Sequence, residues 1–390
     1  MGYGGGGGGG GGSGGGGSGG GGGGAAGYGA GGAGGGSGAG GGSGYRRVGD
    51  DRTAPGLKVN NITNRTEDGG PEVDGVVEVN TTAHFIPPVG NTAERGSRGR
   101  GVFGGGYAPG FTNVMQYITI ATTGNAKDFG DMRTARANSG SASSSTRGIF
   151  FGGAESPSPV VSSIDYFTIS ATGNTTLFGD LSGNRNNVGA AGNNLRALTF
   201  GGAVPSDESK IVDYIEIATL GNASTFGELS VAVLNSGACS SSTRALNAGG
   251  QIAVGTYTNV IDYFTISTLG DAQDFGDLSV TREPTASCSS PVRGIWGGGR
   301  QPTRSDTIDY VTISSLGDTI DFGNLSAATQ FNAAVSNSIR GLFVGGQDPA
   351  ATTDMEYITI ASAGNVTDFG DLTNSAFSFK GCSDSHGGLG

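Results

Sequence analysis

Short runs of apolar residues recur from residue 100 to the end of the chain, separated by glycines and small polar residues. In one unit, residues 147–151 are mostly apolar and end at a glycine pair, and residues 163–171 alternate apolar and polar side chains around a tyrosine. Residues 177–181 form a third run, and a stretch of Ser, Ala and Gly at 138–146 precedes all three. Runs of this length and alternation predict β-strands. The unit is therefore predicted to contain four strands.

The unit occurs six times. A tyrosine marks the same place in each copy, 47–49 residues after the previous one: Tyr117, Tyr166, Tyr214, Tyr263, Tyr310 and Tyr357. A glycine followed by Asn or Asp comes after each tyrosine strand: Gly124–Asn125, Gly173–Asn174, Gly221–Asn222, Gly270–Asp271, Gly317–Asp318 and Gly364–Asn365. A fixed period of about 40–50 residues built from strands is typical of β-propeller blades. We therefore predict an all-β, six-bladed β-propeller over residues 100–390.

The composition of each run predicts its place in the blade. The innermost strands of a propeller crowd around the axis, so the run of small residues is assigned there. The Phe-Gly-Asp run is assigned to the outer edge. Gly and Asn tolerate positive φ, so their pair is interpreted as a two-residue hairpin turn between the last two strands.

The two ends of the repeat array are complementary. The first unit begins at Arg100 and lacks a preceding strand of small residues, whereas residues 380–386 match the small-residue segment 237–243 of a complete unit. We predict that the C-terminal strand completes the first blade and closes the ring. His386 is interpreted as taking the place of the arginine that recurs at Arg147 and its equivalents.

Composition divides the chain into three regions. Glycine supplies 81 of the 390 residues, and residues 1–45 are a Gly/Ser-rich low-complexity arm. Such a segment cannot bury enough apolar surface to offset its ordering entropy, so it is a flexible tether or, alternatively, packed polyglycine helices. Residues 46–99 carry charges and short strand-like runs, which indicates a β attachment or linker segment. Residues 100–390 are the propeller.

Charge and hydropathy exclude several classes of partner. The net charge is −11 and the basic residues are scattered singly, so nucleic acid is not expected as a ligand. No run of about 18 apolar residues occurs, and the N-terminus lacks the pattern of a secretory signal, so no membrane span is expected. Cys239 and Cys288 fall at equivalent positions of neighbouring units, and Cys382 falls there again. They are interpreted as small buried residues with free thiols.

Two known families resemble these repeats. A glycine pair ending an apolar strand, followed by a tyrosine strand, resembles the kelch propeller motif, although the tryptophan usual in kelch units is absent after the tyrosine. The runs Ile-Asp-Tyr-Phe-Thr-Ile-Ser and Asp-Phe-Gly-Asp-Leu, with the lead-in at 82–95, resemble fibre-like structural proteins of marine tailed phages, especially those of cyanobacteria. The resemblance covers about residues 75–390. It implies a virion location and other virion proteins as partners, and it implies no particular mechanism.

The sequence contains few candidate catalytic residues. The two histidines are His84, before the array, and His386, at its end, and no nucleophile and base have a spacing that suggests a catalytic set. No cofactor and no metal site are expected. The acids that follow each Phe-Gly pair recur in every unit but one, which favours turn-forming hydrogen bonds to nearby backbone over catalysis.

Function is therefore expected in the loops. Those between the glycine pair and the tyrosine strand vary most between units and should cluster on one face of the ring. Aromatic and arginine side chains supply much of the binding energy at protein surfaces. The candidate binding residues in these loops are Tyr107, Phe111, Tyr257, Arg300 and Arg304.

These observations predict a non-enzymatic virion structural protein, a tail fibre or surface appendage whose propeller recognises a glycan or protein of the host surface. Residues 46–99 would bind other virion proteins, and a homo-oligomer is expected. The main alternative is a self-assembling capsid or appendage subunit, whose propeller contacts copies of itself. A weaker alternative is a carbohydrate-active enzyme.

Overall fold

The computed structural model describes residues 99–107, 109–155, 160–204, 207–284 and 286–389. The arm predicted for residues 1–45 and nearly all of the segment 46–99 lie outside this range. The described chain is all-β apart from one turn of 3-10 helix at Gly387–Leu389. It forms a six-bladed β-propeller, and blades 1 to 6 are numbered here by their tyrosines, from Tyr117 to Tyr357.

Each blade is a four-stranded antiparallel sheet. The innermost strands are Gly140–Ser143, Gly189–Gly192, Gly237–Ser240, Ala286–Ser289, Ala333–Ser336 and Lys380–Ser383. The second strands are Arg100–Gly104, Arg147–Phe151, Arg196–Phe200, Arg244–Ala253, Arg293–Gly297 and Arg340–Val344. The third strands, which carry the tyrosines, are Val114–Thr119, Ser163–Thr168, Asp207–Glu216, Thr256–Thr265, Thr303–Thr312 and Asp354–Thr359. The outer strands are Lys127–Asp131, Thr176–Asp180, Ser224–Val233, Gln273–Asp277, Ile320–Thr329 and Thr367–Asp371.

Six short strands extend the blades at one end of the ring. Arg136–Ala137 pairs with Ala154–Glu155, and Gln347–Asp348 pairs with Ala350–Ala351. Ala203–Val204 and Arg300–Gln301 pair with the third strands of blades 3 and 5. The predicted order of strands within the blade is confirmed: small residues occupy the innermost strand, and the Phe-Gly-Asp run forms the outer edge.

The C-terminal strand closes the ring, as predicted. Lys380–Ser383 pairs antiparallel with Arg100–Gly104, with Val102 opposite Cys382. The first blade thus combines three strands from the beginning of the array with one from its end. The closure leaves no blade of the ring without its inner partner strand.

The core lies between the blades. Six clusters of buried apolar residues each join two neighbouring blades, and one of them joins blade 6 to blade 1. In that closing cluster, Phe379 meets the ring of Phe103 edge-on with centroids 6.0 Å apart. The three cysteines are unpaired and buried, as interpreted from the sequence. Burial raises the pKa of Cys288 and of Cys382 to about 12.

A recurrent arginine connects each blade to the next. Its guanidinium stacks on the tyrosine of its own blade at 4.4–5.1 Å from the ring centroid, and its Nη1 donates to a backbone oxygen of the following blade. The arginines are Arg100, Arg147, Arg196, Arg244, Arg293 and Arg340. The interpretation of His386 as the sixth of them is wrong, because Arg100 fills that position. His386 lies one residue position earlier in the unit, with Nε2 3.0 Å from the backbone oxygen of Ser143.

The Gly-Asn and Gly-Asp pairs are not two-residue hairpin turns. In blade 2 the third strand ends at Thr168 and the outer strand begins at Thr176, and only the glycine of the pair has positive φ. The connection instead docks on the neighbouring blade: Gly173 N–H donates to Phe129 O at 2.7 Å, and Asn174 Oδ1 accepts from Asp131 N–H at 2.9 Å. The same side-chain contact recurs in all six blades.

This docking also corrects the interpretation of the recurring acids. In each of these residues, the backbone N–H is the group that donates a hydrogen bond to the neighbouring blade. The residues are Asp131, Asp180, Glu228, Asp277 and Asp371. That is why Asn324 can replace the acid in blade 5 with the same hydrogen bond, from its N–H to Asn365 Oδ1 at 3.0 Å. The acceptor of this hydrogen bond lies on the Asn or Asp of the next blade. The carboxylates of Asp180 and Asp371 accept from the hydroxyl groups of Ser162 and Thr353, and not from backbone as predicted.

Three buried ion pairs lie between blades. Arg136 pairs with Asp165 at 2.7 Å, Arg282 pairs with Asp309 at 3.0 Å, and Arg185 pairs with Asp213. All six side chains are almost inaccessible to solvent. Burial lowers the pKa of each of these arginines, and the facing carboxylate opposes that effect.

Within the residues that the structure describes, no helix is long and apolar enough to cross a membrane. The same part of the chain contains no group of three or more His, Cys, Asp or Glu side chains arranged to hold a metal ion.

Candidate functional site

The propeller has two chemically different faces. The turns from the innermost to the second strand, and those from the third to the outer strand, form the entry face, since Gly99 leads into the first blade there. The connections from the second to the third strand, and from the outer strand to the next blade, form the loop face. Antiparallel strands fix this division, because successive connections must alternate between the two ends of a sheet.

A row of rings crosses the loop face beside the central channel. Tyr107 meets Phe111 edge-on at 5.6 Å between centroids and meets Phe377 at 5.4 Å, and Phe377 lies 6.4 Å from Phe331. The guanidinium of Arg300 lies 5.7 Å from Phe331 and 5.8 Å from Tyr257. We call this row the aromatic ridge; in spatial order its members are Phe111, Tyr107, Phe377, Phe331, Arg300 and Tyr257.

Backbone pairing holds the ridge in place. Tyr107 N–H donates to Phe377 O at 2.9 Å, and Phe377 N–H donates back to Tyr107 O at 3.3 Å, so blade 1 is tied to the loop entering its own inner strand. Phe331 has φ 56°, a left-handed conformation that is unusual for an aromatic residue. It shares this conformation with Asn138, Asn187 and Asn235 at equivalent positions, where asparagine adopts it readily.

The left-handed residues form part of a hydrogen-bonded ring around the channel mouth. Asn138 N–H donates to Ser378 O, Asn187 N–H to Asn138 O, and Asn235 N–H to Asn187 O, at 2.7–2.9 Å. Pro284 occupies the equivalent place in blade 5 and has no N–H to donate. Ser378 N–H in turn donates to Phe331 O at 2.9 Å, so the strained backbone at Phe331 is held by a series of hydrogen bonds that connects five blades.

A buried carboxylate holds the arginine of the ridge. Arg300 Nε lies 2.9 Å from Glu283 Oε1, and Asn235 Nδ2 donates to Glu283 Oε2 at 3.0 Å. Glu283 is fully buried, and burial raises its pKa, while Arg300 keeps 33 % of its side chain exposed. The pair is close to electrically neutral and leaves the flat guanidinium accessible between two rings.

The five residues selected from sequence fall into two groups on this face. Tyr107 and Phe111 form one end of the ridge, and Arg300 and Tyr257 form the other. Arg304 lies opposite Arg300 across the hairpin of Arg300–Gln301 and is half-buried. The two groups are joined by residues that the sequence analysis did not select.

The sequence analysis missed Phe331, Phe377 and Glu283. These residues lie in the other set of loops, which connect the outer strand of one blade to the innermost strand of the next. Aligning the units would have marked only Phe331, which stands at the position of Asn138, whereas Phe377 aligns with Ala137. Their contact with Tyr107 and Arg300 could not be predicted, because it joins loops of different blades.

The ridge can bind flat or apolar groups. Tyr107 exposes 39 % of its surface, and the other rings are partly exposed, so the row offers several adjacent π faces to solvent. Ring faces of this kind stack on sugar rings and side chains, and an accessible guanidinium adds hydrogen-bond donors. None of the six side chains is a nucleophile paired with a base. The ridge is therefore suited to recognition.

Comparison with known proteins establishes the fold alone. No protein-family model matches the chain, and no curated protein matches it. A solved structure of YjhT is similar, with a TM-score of 0.52 and 12% identical residues over 62% of this chain and 86% of that one. At this identity the likeness supports the β-propeller and carries no information on activity.

Proposed function

We propose that this protein is a non-enzymatic structural component of a virion, part of a tail fibre or surface appendage, whose loop face recognises the host surface. The resemblance of the repeats to fibre-like proteins of marine tailed phages supplies the location. The aromatic ridge supplies the recognition surface, with a glycan or a protein side chain as the group that stacks on it.

The observation that carries the proposal is the separation of the two faces. Gly99, through which the N-terminal segment joins the propeller, lies on the entry face, where its carbonyl accepts from Ile120 N–H at 2.9 Å. The ridge lies at the opposite end of the ring. Tyr107 and Phe377 therefore lie at the end of the ring opposite to the point where the chain enters the propeller, an arrangement that suits an attachment protein.

The test is binding of the full-length chain to envelope preparations from marine cyanobacterial hosts. A variant with Tyr257, Arg300 and Arg304 replaced by Ala, and a second with Tyr107 and Phe377 replaced by Ala, should each bind at least about tenfold more weakly, as expected when central aromatic or arginine contacts are removed. The melting temperature of the Tyr107 and Phe377 variant should fall by no more than a few degrees, because these side chains are partly exposed. The Arg300 variant should melt lower, because it leaves Glu283 buried without its counter-ion.

The matched control changes the entry face. Leu195 exposes 68 % of its surface there, and Leu195→Ser should leave envelope binding unchanged. Equal binding by the wild type and both ridge variants would exclude the loop face as the recognition surface. Loss of binding in the Leu195 variant alone would place recognition on the entry face.

A second candidate function rests on the entry face itself. It carries aliphatic side chains that expose half or more of their surface, in blades 3 to 6: Leu195, Leu220, Leu269, Val292, Leu316 and Ile339. An apolar set of this kind is typical of subunit contacts, which favours a self-assembling capsid or appendage subunit. Replacing Leu269, Val292 and Leu316 with Ser should then reduce the assembled fraction in sedimentation, whereas the ridge variants should assemble normally.

A further inference from the structure

The arginines of the three buried ion pairs share one position in the connection between blades. They are Arg136, Arg185 and Arg282. Between blades 5 and 6 this position is Thr329. The backbone is the same in both cases, since Gly106 N–H donates to Arg136 O and Gly299 N–H donates to Thr329 O, each at 2.8 Å. Thr329 therefore starts from the same point of the fold as the arginines, but its side chain is too short to reach their partners.

Each of two arginines donates to one set of oxygen atoms on the following blade. Arg185 Nη1 donates to Gly201 O at 2.9 Å and to Ile211 O at 2.7 Å, and Nη2 pairs with the carboxylate of Asp213. Arg136 donates to the same three groups of blade 2. We call the two carbonyl oxygens and the carboxylate the acceptor set. Its arrangement suits a guanidinium, whose N–H groups point outward in a fixed plane.

Blade 6 retains the acceptor set. Its members there are Gly345, Asp354 and Glu356. Gly345 N–H donates to Asp354 O at 2.8 Å, as the equivalent glycine of blade 3 does to its own partner at 3.1 Å. Ser326 N–H donates to Glu356 Oε2 at 3.4 Å, and the equivalent serine of blade 3 donates to its aspartate at 3.1 Å. The acceptors of a guanidinium are therefore present in blade 6, whereas the arginine is not.

A pocket lies between Thr329 and the acceptor set. Its volume is about 20 Å³, somewhat more than a single water molecule requires. Gly345, Asp354 and Glu356 line it, together with Asp348. Three of its lining residues are thus acidic, and none of the described residues that line it is basic. Asp354 is exposed to solvent, so the pocket can be entered from the loop face.

The two other interfaces without this arginine are built differently. Val233 takes the position between blades 3 and 4, where it is buried in an apolar cluster and Asp262 is 3 % exposed. Between blades 6 and 1 the carboxylate is replaced by the amide of Gln116, whose oxygen accepts from Thr373 N–H at 2.7 Å. Neither interface has the partly exposed carboxylate that Glu356 gives to the pocket between blades 5 and 6.

We propose that this pocket binds a guanidinium group, which belongs to an arginine side chain of a partner protein or to a free guanidino compound. The carboxylate of Glu356 supplies the charge, and Gly345 O and Asp354 O accept hydrogen bonds from the guanidinium N–H groups. A guanidinium is preferred to an ammonium because its planar fork meets fixed acceptors in several directions at once. The ligand would thus make the contacts that Arg136 and Arg185 make within the chain.

The pocket lies beside the aromatic ridge and does not depend on it. Thr329 is two residues before Phe331, and Asn332 lines both this pocket and the cavity next to Phe331. A partner protein that stacks on the ridge can therefore place an arginine in the pocket. A small guanidino compound would bind there whether or not the ridge binds anything, so the two proposals can fail separately.

The first experiment measures binding of N-acetyl-arginine amide to the full-length protein by saturation-transfer NMR. The reference ligands are the citrulline derivative, which is neutral and has nearly the same shape, and the lysine derivative. The wild type should bind the arginine derivative at least about tenfold more tightly than either, because only the guanidinium combines the charge with the planar fork. Glu356→Gln should remove the preference for arginine over citrulline.

A matched control separates the pocket from the overall negative charge of the protein. Asp128 is exposed on an outer strand, so Asp128→Asn removes one charge from a different surface and should keep the preference for arginine. The net charge of −11 attracts any cation weakly. An equal loss of binding in both variants, or lysine bound as tightly as arginine, would overturn the proposal.

A second pair of variants fills the pocket from within the chain. Thr329→Arg places an arginine where Arg136 and Arg185 stand in other interfaces, so its guanidinium should occupy the acceptor set and prevent binding of the arginine derivative. Thr329→Val keeps the size of the side chain and should bind as the wild type does. Unchanged binding by a folded Thr329→Arg variant would overturn the proposal. The Glu356 variant tests the pocket even if Thr329→Arg does not fold.

Further arms identify the source of the guanidinium. Methylguanidinium bound as tightly as the arginine derivative assigns the pocket to free guanidino compounds. Weaker binding of methylguanidinium assigns it to an arginine in a polypeptide, whose backbone then adds contacts. Replacing Tyr107 and Phe377 with Ala should leave arginine binding unchanged. Envelope binding that fails while the arginine derivative still binds would reject the proposed function and leave the guanidinium pocket standing.

Discussion

The guanidinium of Arg340 donates a hydrogen bond of 2.9 Å to the backbone oxygen of Ala121, a residue 219 positions earlier in the chain. It is one of the contacts that join blade 6 to blade 1, beside the buried apolar cluster between them. The other five arginines connect blades that are consecutive in sequence. Only the Arg340 contact joins the two ends of the array, so it depends on the closing strand Lys380–Ser383.

Removing the closing strand should open the ring. A chain ending at Asn374 lacks the partner of Arg100–Gly104 and also lacks Phe379, which packs on Phe103. We expect it to be insoluble or to lose its single cooperative unfolding transition in calorimetry. A chain ending at His386 keeps the strand and lacks only the 3-10 helix, so it should unfold cooperatively at a lower Tm. Unfolding of the Asn374 chain like that of the full chain would contradict closure by this strand.

Breaking one buried ion pair should be costly. Arg185→Ala leaves Asp213 buried without its counter-ion, so the free energy of unfolding should fall by about 3–5 kcal/mol. Arg133 is the matched control, since 40% of its side chain is exposed and Arg136 still pairs with Asp165. Arg133→Ala should cost no more than about 1 kcal/mol in urea unfolding. The double variant Arg185→Met with Asp213→Leu should recover much of the lost free energy of unfolding. A double variant that is no more stable than Arg185→Ala would contradict this account.

Asp262 should behave differently from the paired aspartates. It aligns with Asp213, but Val233 stands where Arg185 and Arg282 occur in other units. Its Oδ2 accepts from Ser230 N–H and Oγ–H, each at 2.9 Å, and its Oδ1 is buried without a hydrogen-bond partner. Burial raises its pKa above the ordinary value of 3.8, so the folded state binds the proton more tightly than the unfolded state does.

The sign of the pH dependence follows from that shift. As pH rises from 3.8 to the raised pKa, the unfolded state releases the proton first, so this residue lowers the free energy of unfolding across that window and keeps it lowered above it. Asp262→Asn removes the charge and retains an acceptor oxygen for Ser230. We expect the variant to have a higher Tm than the wild type at pH 7 and no advantage below pH 3.8. A lower Tm at pH 7 would show that the ionised carboxylate stabilises the fold.

The repeated local signals were sufficient to predict the architecture. The tyrosine period, the runs of small residues and the match of residues 380–386 to an innermost strand predicted six blades, their strand order and the closure. These features repeat in every unit and depend on local strand preference and steric crowding at the axis. The same reasoning failed at Gly173–Asn174, because a pair that suits a hairpin turn is used here to dock on Asp131 of another blade.

The sequence alone therefore determined the six-bladed ring, the places of its strands and the face on which varied loops collect. Only the tertiary structure decided which of those loops meet. Phe331 and Phe377 join Tyr107 to Arg300 because closure of the ring brings blades 4, 5, 6 and 1 together around one mouth. Contacts between residues so far apart in sequence leave no local pattern, because they are fixed by the packing of whole blades.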